Sequence, residues 1–395
     1  MVKIMINICL CVYPDMKPLS EIEEYFKMAS KYGVNRTFAS MFSAEGTNEE
    51  ITKCFTDFCT LAHKYNLKVS LDVNPEFLAR FDCYPDDVSY MKQIGCDVMR
   101  LDGDYSLEDD LKIINNPYGV QVEFNASMPS RHIKELIERG ADPKAIYTGH
   151  NFYPQPKTGM KWQAFLDINK ELKALGVRIG ACIYSYNPVS HCVWNPPKGV
   201  PTVEMTRYLP FDLQARLLIA GGATDIFVGN AFALEEELKT LHEMIQGLDE
   251  NDPYIVEQLN KYMPGKKIDD IPVRRMRVKL DENITEREKE ILFKFVPHYD
   301  RGDTSEWMMR STLSRIEYGP GEGVPARPIN KPMFEVGDVM IVNNNYQRYA
   351  GELQICLIPF EDDGYRNVVG HLNEYEMKQV VLLEPEQVWQ FLEEK

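Results

Sequence analysis

Three short stretches of the chain alternate polar and apolar residues, although they lie among segments with helical periodicity. They are residues 69–74, 99–102 and 121–125. A parallel strand covered by helices normally has two apolar faces, because both faces are buried. Alternate side chains of a strand point to the same side, so the polar residues of each stretch share one face. The pattern predicts strands whose polar face lines the lumen of a barrel.

Strand-and-helix units repeat through the first 245 residues at intervals of about 30 residues, the length of one βα unit. The predicted strands are 4–10, 36–41, 68–73, 98–102, 120–125, 145–150, 178–184 and 225–229. Thr47 with Glu50, and Ser20 with Glu23, have the spacing of a capping box at a helix start. Eight units predict an α/β fold, a (β/α)8 TIM barrel, whose chemistry lies at the C-terminal ends of the strands. A doubly wound sheet would need a glycine-rich phosphate loop after the first strand, and residues 11–14 do not provide one.

The pattern changes after residue 245, which predicts three regions: a barrel at 1–245, a junction at 246–271 and a smaller domain at 272–395. The junction is polar and contains two prolines. The predicted strands beyond it are 273–278, 309–316, 339–342, 353–358 and 380–383, with one helix at 285–293. Residues 318–333 are rich in glycine and proline and predict a loop. This composition indicates a small, mostly β domain, most simply a compact barrel.

Composition narrows the classes of partner and the compartment. A net charge of −16 argues against nucleic acid as a partner, and no apolar run is long enough to span a membrane. Residues 1–14 end in Tyr-Pro with no small-residue cleavage site, so they predict a first strand and not a signal peptide. Nine cysteines without a CxxC pair indicate reduced thiols in a cytoplasmic protein.

The polar face of the predicted strands carries an unusual density of charge. Asp72, Arg100, Asp102 and Glu123 come from three consecutive strands and share lumen parity. Such a cluster is costly to desolvate unless its members pair with one another, so it is more typical of an active site than of a scaffold. No metal-ligand spacing and no cofactor fingerprint accompanies it, so we expect neither a metal nor a cofactor.

Loops after the predicted strands supply candidate substrate-binding residues. His150, Asn151 and Tyr153 lie in a proline-stiffened loop after strand 6, and Glu204 and Arg207 lie at the end of a long connection after strand 7. Long loops at the catalytic face of a barrel commonly bind substrate or form lids, although a purely structural lid remains the alternative. The second domain carries Arg301, Arg310, Arg315 and Arg327, which are either solvated or available to clamp an anion.

Four motifs together resemble those of the 6-phospho-N-acetylmuramidase family. The motifs are Gly149–Pro154 (GHNFYP), Pro201-Thr202-x-Glu204-x-x-Arg207, Glu123-x-Asn125-Ala126-Ser127 and Arg348-Tyr349-x-Gly351-Glu352-Leu353-Gln354. The resemblance spans essentially the whole chain and implies a (β/α)8 barrel with a cyclophilin-like C-terminal domain. It further implies hydrolysis of the bond between 6-phospho-N-acetylmuramic acid and N-acetylglucosamine during cell-wall recycling. The sequence departs from the family pattern at Gln155, Lys157, Thr206 and Asn230, so a close relative of this substrate stays open.

Glycoside hydrolysis needs a proton donor and a second carboxylate that acts as nucleophile or base. Any two of Asp72, Asp102 and Glu123 could flank a glycosidic bond, and Arg100 would keep one of them ionised. Asn125 and Asn151 are suited to sugar hydroxyl or N-acetyl groups.

We expect a phosphorylated sugar as the partner, with Arg207 and Arg310 contacting its anionic groups. Two alternative functions stay open: a metal-independent sugar-phosphate isomerase or epimerase, and a non-catalytic sugar-phosphate binding protein. The C-terminal domain either closes over the substrate through its loop at 318–333, covers apolar barrel surface, or mediates a homodimer.

Overall fold

A computed structural model describes residues 5–103, 105–127, 130–193, 198–328 and 331–394 of the chain. The chain divides into two compact units, the first over Ile4–Ile245 and the second over Gln246–Lys395. Within the described residues, no helix is both long enough and apolar enough to cross a membrane. The nine cysteines are free thiols.

The first unit is a closed barrel of eight parallel strands, paired in sequence order with β1 closing on β8. The strands are β1 Asn7–Cys11, β2 Val34–Ser40, β3 Lys68–Val73, β4 Val98–Leu101, β5 Gln121–Asn125, β6 Ile146–Gly149, β7 Arg178–Ile183 and β8 Asp225–Val228. The helices are α1 Leu19–Ala29, α2 Asn48–Lys64, α3 Pro75–Ala79, α4 Ser89–Gln93, α5 Leu107–Ile114, α6 Arg131–Glu138, α7 Trp162–Ala174, α8 Phe211–Ala220 and α9 Glu235–Ile245. The barrel predicted from the eight repeats is therefore confirmed.

Apolar side chains on the outward faces of the strands pack against the helices in one continuous core. Leu71 on β3, Met99 on β4 and Val122 on β5 are fully buried, and they lie in register with one another. Because side chains alternate along a strand, their neighbours Asp72, Arg100 and Glu123 all point to the opposite side. The alternation seen in the sequence thus separates an apolar outer core from a charged lumen.

Local signals at two helix starts had different outcomes. Helix α2 begins with the predicted capping box: the Thr47 side chain accepts from the Glu50 backbone N–H, and the Glu50 side chain accepts from the Thr47 backbone N–H. Helix α1 begins at Leu19 after Pro18, and no side chain caps it. The capping box predicted from Ser20 is wrong, because the helix starts one residue earlier and Ser20 already lies in its first turn.

The second unit contains a six-stranded sheet in the order β10-β13-β12-β15-β9-β16 and a two-stranded sheet, β11-β14. Its strands are β9 Val273–Leu280, β10 Met308–Ser311, β11 Met333–Phe334, β12 Asp338–Val342, β13 Leu353–Cys356, β14 Phe360–Glu361, β15 Arg366–His371 and β16 Val388–Glu393. Its helices are α10 Pro253–Tyr262, α11 Glu286–Lys289, α12 Ser314–Tyr318 and α13 Glu374–Val380, and a π-helical turn over Glu290–Lys294 follows α11. The unit is mostly β, as the sequence predicts.

Several elements of this unit differ from the sequence prediction. The predicted strand at 380–383 is the end of α13 and the turn after it. Helix α13 begins where the Asn373 side chain accepts from the backbone N–H groups of Tyr375 and Glu376, a local cap that outweighs a four-residue apolar run. The predicted strand at 309–316 divides into β10 and α12, and the sequence did not predict β11, β14, β15 or β16.

Candidate active site

The lumen of the barrel holds a connected set of charges at the ends of β3, β4 and β5. Strand register places Asp72 beside Arg100, and Arg100 beside Glu123. Arg100 Nη1 lies 2.6 Å from Asp72 Oδ1 and 3.8 Å from Asp102 Oδ1, and Arg100 Nε lies 3.7 Å from Glu123 Oε1. The four residues predicted to cluster therefore share one guanidinium at their centre.

A second arginine, Arg36 on β2, adds positive charge to the lumen. Its Nη2 donates to Glu123 Oε2 at 2.5 Å, and its Nη1 lies 3.8 Å from Asp225 Oδ2. The guanidinium is fully buried between the rings of Tyr147 and Phe227, with its central carbon 4.7 and 4.6 Å from their centroids. Cation–π contacts of this kind help a desolvated guanidinium remain charged.

Sequence reasoning missed Arg36, although a signal was available. The three predicted lumen carboxylates, Asp72, Asp102 and Glu123, greatly outnumbered the single predicted cation, Arg100. Buried carboxylates need compensating charge, so the imbalance already called for another arginine on the inner face of a strand.

The three carboxyl groups differ in how deeply they are buried. Asp72 is almost completely buried, which raises its pKa to about 6 although the neighbouring Arg100 opposes the shift. Glu123 is buried more deeply, between Arg36 and Arg100. The Asp102 side chain, just beyond the end of β4, is 46% exposed. The site thus offers one carboxyl group that is partly protonated just below neutral pH, and a solvent-accessible carboxyl group beside it.

Two amides from the predicted binding motifs lie near this cluster: Asn151 contacts Arg100 directly, and Asn125 is linked to Asn151 through Ser127. Asn151 Oδ1 accepts a hydrogen bond from Arg100 Nη2 at 2.7 Å, and its backbone N–H donates to Ser127 Oγ at 3.0 Å. Asn125 Oδ1 accepts from the Ser127 backbone N–H at 2.8 Å. The turn after β5 and the loop after β6 are therefore joined through Ser127.

His150 lies beneath this loop and is buried. One ring nitrogen is 2.7 Å from Asn169 Oδ1 on α7, and burial lowers the pKa of His150 to about 4. The imidazole is therefore neutral at physiological pH, so it cannot attract a phosphate by charge. Its contacts are those of a residue that fixes the loop to the outer helices.

Arg207 and Glu204 form a buried clip within the loops after β6 and β7. Arg207 donates from Nε and Nη2 to the two carboxylate oxygens of Glu204 at 2.7 and 2.8 Å. Its Nη1 donates to the carbonyls of Lys198 and Gly199, and its Nη2 also donates to the carbonyl of Tyr153. Glu204 in turn accepts from the backbone N–H groups at the end of the loop after β6, those of residues 157 and 159.

This clip differs from the predicted role of its two residues as substrate ligands. The Arg207 side chain is only 1% exposed, and every nitrogen of its guanidinium already donates to the protein. An arginine in this state fixes loop geometry and presents no free donor to an anion. Tyr153 is half-buried, and its backbone is held by the clip. Arg310 lies in the second unit, where it pairs with Glu352.

The four positions that depart from the family pattern fall into two classes. Gln155 and Lys157 are exposed in the loop after β6. Thr206 is fully buried and donates to the Val203 carbonyl at 2.8 Å. Asn230 is buried as well, and its Oδ1 accepts from the Ser185 backbone N–H at 2.7 Å. Of the four side chains, only those of Gln155 and Lys157 are free to reach a ligand.

In the described parts of the chain, no group of three or more His, Cys, Asp or Glu side chains is arranged to hold a metal ion. In the lumen, guanidinium groups take the place that a cation would otherwise occupy between the carboxylates.

Two family models match the chain, and solved structures that cover nearly all of it include two bacterial proteins. Residues 8–243 match the N-terminal model of 6-phospho-N-acetylmuramidase, and residues 274–392 match its C-terminal model. The crystal structure of an uncharacterized B. cereus protein is 28% identical, with a TM-score of 0.79, covering 98% of this chain and 99% of that one. A conserved Enterococcus faecalis protein with an unknown function is 21% identical, with a TM-score of 0.58, covering 98% and 96%.

The similarity to the Enterococcus faecalis protein shows only that the two proteins share a fold. No curated protein matches the chain significantly. The two family models cover both units between them, and they carry the assignment: the chain belongs to the 6-phospho-N-acetylmuramidase family.

Proposed function

We propose that this protein hydrolyses the glycosidic bond between 6-phospho-N-acetylmuramic acid and N-acetylglucosamine, or a close relative of that disaccharide, in the cytoplasm during cell-wall recycling. The family is one of glycosidases that act on phosphorylated sugars. The observation that carries the proposal is the pairing of Asp72, whose pKa is raised to about 6, with the accessible Asp102. Glycoside hydrolysis requires a proton donor and a second carboxyl group close to it.

In this mechanism Asp72 is the general acid and Asp102 the second carboxylate. The Asp72 proton moves to the glycosidic oxygen as the bond to the anomeric carbon breaks. Asp102 either attacks that carbon or takes a proton from the attacking water. Glu123 is a positioning residue, because it is buried between Arg36 and Arg100 and holds the guanidinium that contacts both aspartates.

Asp72 and Asp102 lie close together, because both are near the same nitrogen, Arg100 Nη1. The nearest oxygens of Asp72 and Asp102 lie 2.6 and 3.8 Å from Arg100 Nη1, so they are at most about 6.4 Å apart. Retaining glycosidases separate their carboxyl groups by about 5–5.5 Å, and inverting ones by about 6.5–9.5 Å. This upper bound is compatible with retention through a covalent glycosyl–Asp102 intermediate, which water then hydrolyses.

The amides of Asn125 and Asn151 support the same assignment. Asn151 contacts Arg100 of the cluster, and Asn125 lies two residues after Glu123 on β5. Each keeps its Nδ2 donor group free of hydrogen-bond partners among the described residues. Side-chain amides are well suited to the hydroxyl and N-acetyl oxygens of an amino sugar.

The test is product analysis by mass spectrometry against matched disaccharides with and without the 6-phosphate. We expect kcat/KM to fall by about 30-fold or more without the phosphate, since charge-assisted recognition contributes on the order of 2–4 kcal/mol. Asp72→Asn should lower kcat by about 10²–10⁴-fold, whereas Asp57→Asn on the exposed face of α2 is the matched control. Equal rates on both disaccharides would contradict the phosphorylated substrate. Substrate isomerised without hydrolysis would replace the glycosidase by an isomerase or epimerase.

A further inference from the structure

The second unit contains a cavity of about 430 Å³ between α10, the π-helical turn after α11, the end of α12 and β16. The lining residues that the structure describes all belong to this unit. Small-molecule sites in proteins have volumes of about 300–1,000 Å³, so the cavity is large enough for a small ligand.

The apolar part of the lining comes from two hydrophobic clusters that meet at the cavity. Phe293 and Tyr318 pack at the edge of one cluster, and Ile255 and Val296 belong to a smaller one. Phe293, Tyr318 and Ile255 are only half-buried, so each keeps an apolar face that the core does not cover. An apolar group that covered these faces would gain free energy by removing them from water.

Two backbone features position the polar rim of the cavity. Helix α10 begins after Asp252, whose side chain accepts from the Tyr254 backbone N–H at 2.9 Å. The π-helical turn brings Glu290, Phe293 and Lys294 to the cavity. π-helical turns are rare and occur frequently at functional sites.

The rim carries charges of both signs. Asp252 and Glu290 are acidic, and Lys294 is basic. Lys294 Nζ lies 2.9 Å from Glu290 Oε1, but the two side chains are 68% and 41% exposed, and an exposed pair of this kind contributes little to stability. A ligand that offers a carboxylate to the lysine and an ammonium group to the carboxylates can therefore replace this pair at little cost.

Nearby charges outside the lining are already engaged. The central carbon of Arg287 lies 5.1 Å from the ring centroid of Tyr318, and Arg287 also donates to the backbone carbonyl of that residue. Glu317 accepts from Lys261 and from the Tyr262 hydroxyl. A ligand in the cavity would therefore meet chiefly the three charges of the rim.

We propose that this cavity binds a free amino acid with an aromatic side chain. The carboxylate of the ligand meets Lys294, its ammonium group meets the carboxylates of the rim, and its ring packs against Phe293 and Tyr318. A simple anion would face two carboxylates and a simple cation would face the lysine, whereas a zwitterion complements both signs. This site lies within the second unit and is independent of the proposed hydrolysis.

Calorimetric titration of the full-length protein with L-phenylalanine, L-phenylalaninamide, 3-phenylpropanoate and glycine tests the proposal. The amide lacks the carboxylate, the propanoate lacks the ammonium group, and glycine lacks the ring. We expect L-phenylalanine to bind at least about tenfold more tightly than each of the others, because each of them omits one of the matched groups.

Two lysine variants locate the binding. Lys294→Gln should weaken the binding of L-phenylalanine at least about tenfold and should not weaken that of L-phenylalaninamide, which offers this lysine no carboxylate. The matched control is Lys289→Gln, which breaks the exposed pair between Lys289 and Glu286 and should bind L-phenylalanine as the wild type does.

Failure of L-phenylalanine to bind would overturn the proposal, as would equal affinity for L-phenylalanine and any of the other compounds. Wild-type affinity in Lys294→Gln, or an equal loss in Lys289→Gln, would also overturn it. The Lys294 side chain is 68% exposed, so its replacement leaves the core intact. Because no titration depends on turnover, binding of L-phenylalanine to a protein that hydrolyses no disaccharide would contradict only the proposed function.

Discussion

Asp72 faces two opposing influences, and the balance between them determines what it can do. Burial raises its pKa, and the charge and hydrogen bond of Arg100 lower it, with burial the larger effect. A carboxyl group with a pKa of about 6 is protonated often enough at neutral pH to act as an acid, and it is acidic enough to release its proton quickly.

This balance predicts the pH dependence of catalysis. Since the reaction needs protonated Asp72, kcat/KM should fall as pH rises above about 6, approaching a tenfold loss per pH unit. Asp72→Asn should lower kcat by about 10²–10⁴-fold and remove that alkaline limb. Initial rates between pH 4 and 9 measure both effects. An alkaline limb that persists in the variant would assign the essential acid to another group.

Glu123 provides a second prediction, because its charge acts on Asp72 from behind Arg100. The negative charge of Glu123 raises the pKa of Asp72, so Glu123→Gln should move the alkaline limb of the pH profile to lower pH. The same change leaves Arg36 and Arg100 with one fewer buried partner, which should reduce the free energy of unfolding by about 3–5 kcal/mol.

Glu135→Gln on the exposed face of α6 is the matched control for this variant. Its pair with Arg131 is a surface contact between neighbouring turns, so its loss should change the stability by less than about 0.5 kcal/mol. An unshifted pH profile in folded Glu123→Gln would show that Glu123 has only a structural role.

At the scale of elements, the sequence predicted the barrel more completely than the second unit, for a physical reason. Each barrel strand is bounded by helices and recurs at a regular interval, so the position of one strand-and-helix repeat constrains the position of the next. The predicted strands at 68–73 and 225–229 differ from β3 and β8 by at most one residue. Short antiparallel strands lack this repetition. In the second unit the predicted strands at 273–278, 339–342 and 353–358 match β9, β12 and β13, whereas the other strands were missed or misplaced.

The residues of the candidate site were likewise predicted only in part. The period-two pattern identified Asp72, Arg100 and Glu123, because register and parity follow from the backbone alone. It could not distinguish Arg207, which clips two loops, from an arginine that contacts substrate, since both occur in long polar connections. That difference depends on which carbonyls surround the guanidinium, and these come from residues up to 54 positions away in the chain.

The Arg207 clip leads to a prediction for the loops that surround the barrel mouth. Arg207→Met leaves Glu204 and several carbonyls without their donor, so we expect the free energy of unfolding to fall by about 3–5 kcal/mol. We also expect KM to rise more than kcat falls, because the clip positions loops and not the reacting carboxylates.

Denaturant unfolding and steady-state kinetics measure these two effects. Arg139→Met, at an exposed position after α6, should change the stability by less than about 0.5 kcal/mol. A variant of Arg207 with unchanged stability and a purely lower kcat would place this arginine at the chemistry after all.

At the scale of the whole molecule, each unit has its own hydrophobic core. The core of the barrel runs from Ile8 to Met244, and separate clusters fill the second unit. The carboxylate cluster lies wholly within the first unit. A chain of residues 1–245 should therefore fold cooperatively and retain the kcat of the full protein, with any contribution of the second unit to substrate binding visible as a higher KM.

Circular dichroism melting and kinetics of this fragment provide the measurement. A folded fragment with no turnover would mean that the chemistry needs the second unit. A fragment that unfolds without cooperativity would show that the barrel core is insufficient by itself.

The chain of ion pairs through the lumen also constrains how the barrel can evolve. Arg36, Glu123, Arg100 and Asp72 each contact the next, so a mutation at any one position removes a partner from a buried neighbour. Single substitutions in this lumen are therefore costly, and descendants that change it should do so in complementary pairs. Natural variation among relatives should therefore accumulate first in the exposed loops, where a new sugar preference can arise while the buried charges are inherited together.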